Sequence, residues 1–273
     1  MLIVTLSSIP PRFAHIGETL NSLLAQTATI ERIIVYIPEK YRRFPDWDGS
    51  LPEIPVGVEI RRVKHDLGPA TKVLAAVQDF TGQDVNILFC DDDRFYGREW
   101  ASKFMTAARL YHGAAIAMRG LSADQLVNST STRTLLPRAR HRPEQTDAEF
   151  QIKRLWSWLT RAKQQPERRL FKRSGYIDMF EGCAGVLIRP EFFDDGALDI
   201  PAVAWGVDDV WLSGMLAKNR IPIWLVANQV TPRNTAAQEH SPLAGALIDG
   251  AGRHQANCDA IRHMQDTYGV WLG

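Results

Sequence analysis

The sequence lacks a long apolar run, has few cysteines and carries almost no net charge. A membrane-spanning helix needs about 18 or more consecutive apolar residues, and no segment of the chain provides them. Cys90, Cys183 and Cys258 are far apart and form no Cys-x-x-Cys pair, so we expect reduced thiols. A formal net charge of +1 gives no indication of a nucleic-acid partner.

The composition is that of a soluble globular protein, with 45% apolar and 23% charged residues. The first residues, M-L-I-V-T-L-S-S-I-P-P-R, lack the basic stretch that precedes the apolar part of a signal peptide. We therefore expect a cytoplasmic protein, with a peripheral contact at the inner face of the membrane left open. A chain of 273 residues fits a single large domain, which we assign to 1–273.

Strand-like and helix-like segments alternate along the first half of the chain. The strand-like runs are rich in β-branched residues, and amphipathic helical patterns separate several of them; these runs are Leu2–Leu6, Arg32–Ile37, Val58–Val63, Asn86–Cys90 and 114–118. The alternation predicts an α/β fold with a mainly parallel sheet flanked by helices. Ligands bind such sheets at the carboxyl ends of the strands.

The pattern breaks over residues 120–180, where the sequence predicts no clear strand. Within 133–173 there are 12 lysines and arginines against 4 acidic residues, which predicts a basic insertion. We expect one helix in it, at about 147–165, carrying the W-S-W run. The tail at 228–273 is loop-rich, with a last helix predicted near 256–268.

Three consecutive aspartates follow the apolar run N-I-L-F-C. Asp91, Asp92 and Asp93 would repel one another unless a cation holds them, and Mg²⁺ or Mn²⁺ prefers carboxylate oxygens. In an extended segment Asp91 and Asp93 would point the same way and Asp92 the opposite way. The sequence therefore predicts a divalent metal site, with a solvated acidic turn as the alternative.

Two further features carry charge at helix starts. Asp208 and Asp209, beside Trp205 and Gly206, are predicted to open a helix, where one of them could be only an N-cap or could accept a proton from a hydroxyl. Lys72, in D-L-G-P-A-T-K, could meet a phosphate or a sugar hydroxyl at the start of another helix. Its alternative is a solvated lysine on an amphipathic helix.

These three features, in this order, resemble the GT-A glycosyltransferases, a Rossmann-like fold, and especially their family-2-type inverting members. The C-D-D-D-R run resembles the Asp-x-Asp motif, and W-G-V-D-D-V-W-L-S-G-M-L resembles the motif whose second acid is the catalytic base. E-G-C-A-G-V-L-I-R-P-E-F-F resembles the Gly-rich strand beneath the donor sugar. The resemblance spans roughly 2–95 and 180–228 and does not cover the basic insertion.

The resemblance implies a role for each matching residue. Asp93 would be the main metal ligand, with Asp91 on metal or ribose and Asp92 assisting. Asp209 would be the base, and Asp208 would orient a hydroxyl, although the family more often has Glu at this position. The residues implied to contact the nucleotide-sugar donor are Thr5, Ser7, Pro10, Arg12, Lys72, Gly182 and Trp205. A histidine is also implied on the metal or the diphosphate, with His240 as the first candidate and His254 as the second.

The implied activity is a metal-dependent transfer, with Mn²⁺ or Mg²⁺, from a nucleotide-sugar (a UDP-sugar first) to a hydroxyl of a saccharide or lipid-linked acceptor. Inversion is expected, and cell-surface polysaccharide or glycolipid synthesis is the expected setting. The basic segment 133–173 would face the acceptor or an anionic membrane, or form a solvated lid helix with Trp156 or Trp158 packed inward. A haloacid-dehalogenase-type phosphatase and a non-catalytic nucleotide-sugar-binding protein are the alternatives.

Overall fold

The computed structural model describes residues 1–127, 135–144, 147–161, 168–241 and 252–272. Six α-helices lie within these ranges: α1 (Gly17–Leu24), α2 (Thr71–Asp79), α3 (Trp100–Leu110), α4 (Ala148–Leu159), α5 (Asp208–Lys218) and α6 (Arg253–Tyr268). The strands of the first half are β1 (Leu2–Ser7), β2 (Arg32–Pro38), β3 (Val58–Val63), β4 (Asn86–Phe89), β5 (Arg94–Phe95), β6 (Ala115–Ala117) and β7 (Gly120–Leu121). Those of the second half are β8 (Arg140–His141), β9 (Phe171–Arg173), β10 (Gly175–Ile177), β11 (Met179–Phe180), β12 (Val186–Ile188), β13 (Ile223–Leu225) and β14 (Arg233–Asn234).

Eight strands form one sheet in the order β10-β13-β6-β12-β4-β1-β2-β3. The pairs β1–β2, β1–β4, β2–β3 and β13–β6 are parallel, whereas β12 runs antiparallel to both β4 and β6. Helices cover the sheet, so the predicted α/β class with a mainly parallel, Rossmann-like sheet is confirmed.

Both faces of the sheet are buried, which explains why its central strands read as continuous apolar runs. On one face α2, α5 and α6 pack through side chains such as Val73, Trp211 and Ile261. On the other face α1 and α3 pack through Leu20 and Phe104. The sheet therefore holds the ends of β1, β4 and β6 in fixed positions at one edge.

The expectation of no strand in residues 120–180 is wrong. β10 joins the main sheet at its edge, antiparallel to β13, and β7–β11 and β8–β9 form two small ladders. These strands are only two or three residues long, and a period of two cannot be recognised over such a length. The insertion helix predicted at about 147–165 is α4, and 162–165 lie outside the described residues.

The last helix begins at Arg253, three residues before the predicted start. Within the described residues no helix is both long and apolar enough to cross a bilayer.

Candidate active site

A cavity of about 320 Å³ opens at the carboxyl edge of the parallel strands. Its wall is built from the residues that directly follow strands, as the α/β rule predicts: Ser7 and Ser8 at the end of β1, Pro38 at the end of β2, Asp91–Asp93 after β4 and Arg119 after β6. The start of α5, with Asp208 and Asp209, closes the opposite wall. The two acidic clusters, more than a hundred residues apart in the chain, thus share one cavity.

The acidic triplet occupies a turn between β4 and β5, so the strand-like alternation expected for it is wrong. Arg12 bridges two of its members: the guanidinium Nη1 lies 2.6 Å from Asp92 Oδ1 and 3.1 Å from Asp93 Oδ2. The Ser8 hydroxyl donates to the other oxygen of Asp92, and the Thr19 hydroxyl donates to its backbone carbonyl. The mutual repulsion of the triplet is therefore relieved in part by an arginine of the same chain.

Lys72 joins the two acidic clusters. Its Nζ lies 2.9 Å from Asp91 Oδ1 and 3.0 Å from Asp208 Oδ2, and the residue is only 5% exposed. Thr5 Oγ1 donates to the Lys72 carbonyl at 2.7 Å and so fixes the start of α2 against β1. The alternative of a solvated lysine is thereby excluded.

Asp209 is positioned by the backbone across the cavity. The Gly182 N–H donates to Asp209 Oδ1 at 3.0 Å, and a Cβ on Gly182 would stand only 3.0 Å from the same oxygen. Neither acid is the N-cap of α5, because Val207 occupies that position. The N-cap alternative is therefore wrong, and Asp208 and Asp209 are held by groups outside their own helix.

The environments of the carboxylates push their pKa values in different directions. Burial, and then the negative charge of Asp208, raises the pKa of Asp209 well above its ordinary value. Burial acts in the same direction on Asp91, but the charge and hydrogen bond of Lys72, together with the charges of Arg94 and Arg12, outweigh it and lower the pKa of Asp91. Such a divergence is typical of acids with separate roles, one a proton acceptor and the other a permanent anion.

Two carboxylates of the triplet fit a hard divalent cation. Asp93 Oδ1 is buried and accepts no hydrogen bond from the described residues, and the Asp91 side chain is 30% exposed at the cavity. Burial and the neighbouring charges of Asp91 and Asp92 raise the pKa of Asp93 to about 6, and a cation would reverse this effect. Asp92 fits less well, since Ser8 and Arg12 already use both of its oxygens.

The described residues contain no set of three or more His, Cys, Asp and Glu side chains arranged as a complete metal site. A cation bound through phosphate oxygens needs only one or two carboxylates from the protein. Asp91 and Asp93 are therefore sufficient for a cation that arrives with a diphosphate.

Trp205 forms a further part of the wall. Gly68 has a φ of +59°, and a Cβ there would lie 2.9 Å from the indole ring, so a larger residue would displace it. The Arg42 guanidinium stacks over the same ring, 5.0 Å from its centroid. The indole is thus held in place beside Asp208 and Asp209.

Several predicted site residues do not line the cavity within the described part of the chain. Thr5 is fully buried and Pro10 begins a 3-10 helix, and neither is part of the cavity wall. Gly182 acts through its N–H on Asp209. His240 accepts from Arg12 through its backbone carbonyl and stacks its ring on His15, and the His254 ring lies near Cys258. Neither histidine is brought to the acids.

The cavity also contains residues that the sequence interpretation missed. Arg119 pairs with Glu181, with Nε 2.8 Å from Oε2, and Arg253 at the start of α6 also lines the wall. Arg119 could have been found, because it follows a predicted strand. Nothing in the sequence around Arg253 indicates a cavity residue.

Comparison with known proteins gives no family. No family model matches the chain, and no curated protein matches it significantly. Solved structures of S. aureus TarS have a distant likeness: TarS 1-349 in complex with UDP has 11% identity, a TM-score of 0.44 and coverage of 85% of this chain and 59% of that one. A second structure of TarS 1-349 gives 10% identity, a TM-score of 0.45 and coverage of 98% of this chain and 72% of that one.

The longer TarS structure gives 10% identity, a TM-score of 0.44 and coverage of 99% of this chain and 43% of that one. The chain therefore spans 59% of the length of the first of these structures. At such scores we conclude nothing about activity from the likeness, and the function is inferred from the geometry of the cavity.

Proposed function

We propose that this chain is a metal-dependent glycosyltransferase that moves a sugar from a nucleotide-sugar to a hydroxyl of a saccharide or lipid-linked acceptor with inversion. One observation carries the proposal. The acidic turn after β4 and the acidic start of α5 line a single cavity, and Lys72 connects Asp91 of the first to Asp208 of the second. A donor held at the turn would therefore present its sugar to Asp209.

Asp209 is the proposed general base. The Gly182 N–H fixes one of its oxygens, which leaves the second oxygen to accept the proton of an acceptor hydroxyl. Its raised pKa makes it a stronger base than a solvated carboxylate, because the proton that it receives is bound more tightly. Attack by the deprotonated oxygen on the face opposite the diphosphate inverts the anomeric centre.

The remaining side chains hold charge and position. Lys72 holds Asp208 and Asp91 at fixed distances from its Nζ, so Asp208 can orient a donor or acceptor hydroxyl. Arg12, in the 3-10 helix that follows β1, holds the acidic turn in place through Asp92. Trp205 offers an apolar face against which a sugar ring can pack.

Asp91 and Asp93 would hold the Mn²⁺ or Mg²⁺ ion. When bound, the ion would neutralise the negative charge that develops on the departing diphosphate. The donor is expected to be a UDP-sugar, and the product to belong to cell-surface polysaccharide or glycolipid synthesis. No part of the proposal involves nucleic acid.

The test is a screen of nucleotide-sugars by thermal shift with Mn²⁺, followed by nucleoside diphosphate release with candidate acceptors. A ligand at a hundred times its dissociation constant adds about 2.7 kcal/mol to the unfolding free energy, which is easily detected. We expect one donor to shift the melting temperature with Mn²⁺ and Asp93→Ala to lose most of that shift. The matched control is Asp195→Ala, an exposed acid outside the cavity.

The outcome that contradicts the proposal is specific. Release of inorganic phosphate from phosphate esters without an acceptor would indicate a phosphatase. This alternative is disfavoured because the acidic turn follows the fourth strand of the chain, whereas the phosphatase family has it on the first. If the donor bound but no candidate acceptor led to release of nucleoside diphosphate, the chain would be a non-catalytic binding protein.

A further inference from the structure

Helix α4, in the basic insertion, exposes its apolar side to solvent. Ile152, Leu155, Trp156 and Leu159 recur at the i, i+3, i+4, i+7 spacing that places side chains on one helix face. Together with the neighbouring Trp158 they are between 58% and 74% exposed. The expectation that a tryptophan of this helix packs inward is therefore wrong.

The side of α4 opposite this apolar face attaches it to the rest of the protein. Arg168 stacks on the Phe150 ring, and Arg154 Nη1 lies 2.9 Å from Glu144 Oε1. Asp147 caps the helix by accepting from the Phe150 N–H. The helix is thus fixed with its apolar face outward, an orientation opposite to that of an ordinary surface helix.

The strand pair next to α4 carries unbalanced positive charge. Arg140 of β8 and Arg173 of β9 face each other in register, and both are exposed. Like charges directly opposite on a strand pair destabilise it. Neither arginine, nor Lys172 or Arg161, has an ion-pair partner among the described residues. These unpaired positive charges destabilise the β8–β9 pair in isolation, and an anionic surface lying against them would stabilise it.

We propose that α4 and the β8–β9 pair dock on an anionic phospholipid bilayer, with the apolar face of α4 in the headgroup region and the arginines on the phosphates. A helix with an apolar face, tryptophans and basic residues at its sides lies in the plane of a membrane interface. Indole rings favour this boundary because they are apolar with one polar N–H. Basic side chains near the surface add attraction to anionic lipids.

The docking surface is joined to the cavity wall along the chain. β9 is followed by β10 and β11, and Glu181 directly after β11 lines the cavity. If the proposed function holds, a membrane-docked chain would meet a lipid-linked acceptor at the bilayer surface. The docking itself depends only on α4 and the β8–β9 pair.

The experiment is flotation of the full chain with two kinds of vesicle: neutral phosphatidylcholine, and phosphatidylcholine with roughly 30% anionic phosphatidylglycerol, which gives the surface a negative potential. We expect binding to the anionic vesicles and a loss of about tenfold or more in the partition coefficient for the double variant Trp156→Ser with Leu159→Ser. Charge reversal by Lys172→Glu with Arg173→Glu should weaken binding to a similar extent, and salt should weaken the wild type.

The matched control is Leu110→Ser, since Leu110 is 72% exposed on α3, away from the insertion. This variant should float as the wild type does. Wild-type protein that fails to bind anionic vesicles, or a double variant that binds unchanged, would overturn the proposal. So would a wild-type dimer that the double variant converts to monomer, because the apolar face would then be covered by a second copy. No nucleotide-sugar is needed, so failure here is separate from failure of the proposed transfer.

Discussion

The cavity and helix α4 each reverse the usual placement of side chains, in opposite ways. In the cavity, charged residues such as Lys72, Asp92 and Asp208 are buried. On α4, Ile152 and Trp156 are exposed. Buried charges and exposed apolar patches are the informative departures from the ordinary distribution, because each costs free energy unless a partner or a ligand compensates it.

The two regions differ in where that compensation comes from. The buried charges of the cavity are compensated within the chain, by the pairs Arg12–Asp92 and Lys72–Asp208. The apolar face of α4 has no comparable partner among the described residues, since contacts such as Phe150 with Arg168 and Arg154 with Glu144 lie on the opposite side of the helix. The cavity should therefore be sensitive to single substitutions, and α4 should tolerate them in the absence of a membrane.

The largest effect is expected for Asp209→Asn in the cavity. The amide has the same shape but cannot accept the proton of the acceptor hydroxyl, so turnover should fall by about 10²- to 10⁴-fold. Nucleotide binding should change little, because the hydrogen bond of Asp209 is to the Gly182 N–H and the proposed metal and diphosphate ligands are Asp91 and Asp93. Initial rates of nucleoside diphosphate release and the donor Kd measure the two effects separately.

The control is Asp195→Asn, at an exposed position outside the cavity, which should keep the wild-type rate. The pH profile adds a second readout. Because the pKa of Asp209 is raised, wild-type kcat/KM should rise with pH as the carboxyl loses its proton. If Asp209→Asn kept near-normal turnover, the assignment of Asp209 as the general base would be wrong.

The next largest effect is expected for Lys72→Met, and here the measured quantity is the free energy of unfolding. Removal of one partner from a buried ion pair costs about 3–5 kcal/mol, since the other charge is left buried and uncompensated. Here two carboxylates, Asp91 and Asp208, lose the same ammonium. Urea unfolding at pH 7 should reveal the loss, while Lys64→Met at an exposed position should have almost no effect.

The pH dependence of this loss has a definite sign. Lys72 lowers the pKa of Asp91 in the folded protein, so its stabilising effect through Asp91 is present above the unfolded-state pKa of about 3.9 and is lost below it. The stability difference between wild type and Lys72→Met should therefore shrink as the pH falls through this range. A difference that does not shrink as the pH falls well below about 3.9 would mean that the ion pair with Asp91 is not its origin.

Much of the cavity could be predicted from the sequence because it follows from local rules. Apolar β-rich runs mark the strands, ligands bind at their carboxyl ends, and Asp91 and Asp209 stand where a strand ends and a helix begins. The pairing of charges could not be predicted. Arg12 and Asp92 are 80 residues apart and Lys72 and Asp208 are 136 apart, and only the packed fold determines which cation meets which acid.

Helix α4 illustrates the opposite limit. Its existence could be predicted from the 3.6-residue period of its apolar positions, but the same period is typical of a helix that buries that face. The orientation depends on contacts such as that of the Phe150 ring with Arg168, between segments that the sequence does not relate. Which face of α4 is exposed is therefore determined by the tertiary structure. The sequence pattern alone favoured burial of the apolar face.

The smallest effect is expected for the double variant Trp156→Ser with Leu159→Ser when its stability is measured without vesicles. Exposed side chains without specific contacts usually change the unfolding free energy by no more than about 0.5 kcal/mol, whereas a core substitution such as Phe104→Ala costs about 3–5 kcal/mol. Urea unfolding of both variants gives the contrast directly. A cost above about 2 kcal/mol for the double variant would mean that the α4 face is packed in the folded chain. The difference between the two regions would then disappear.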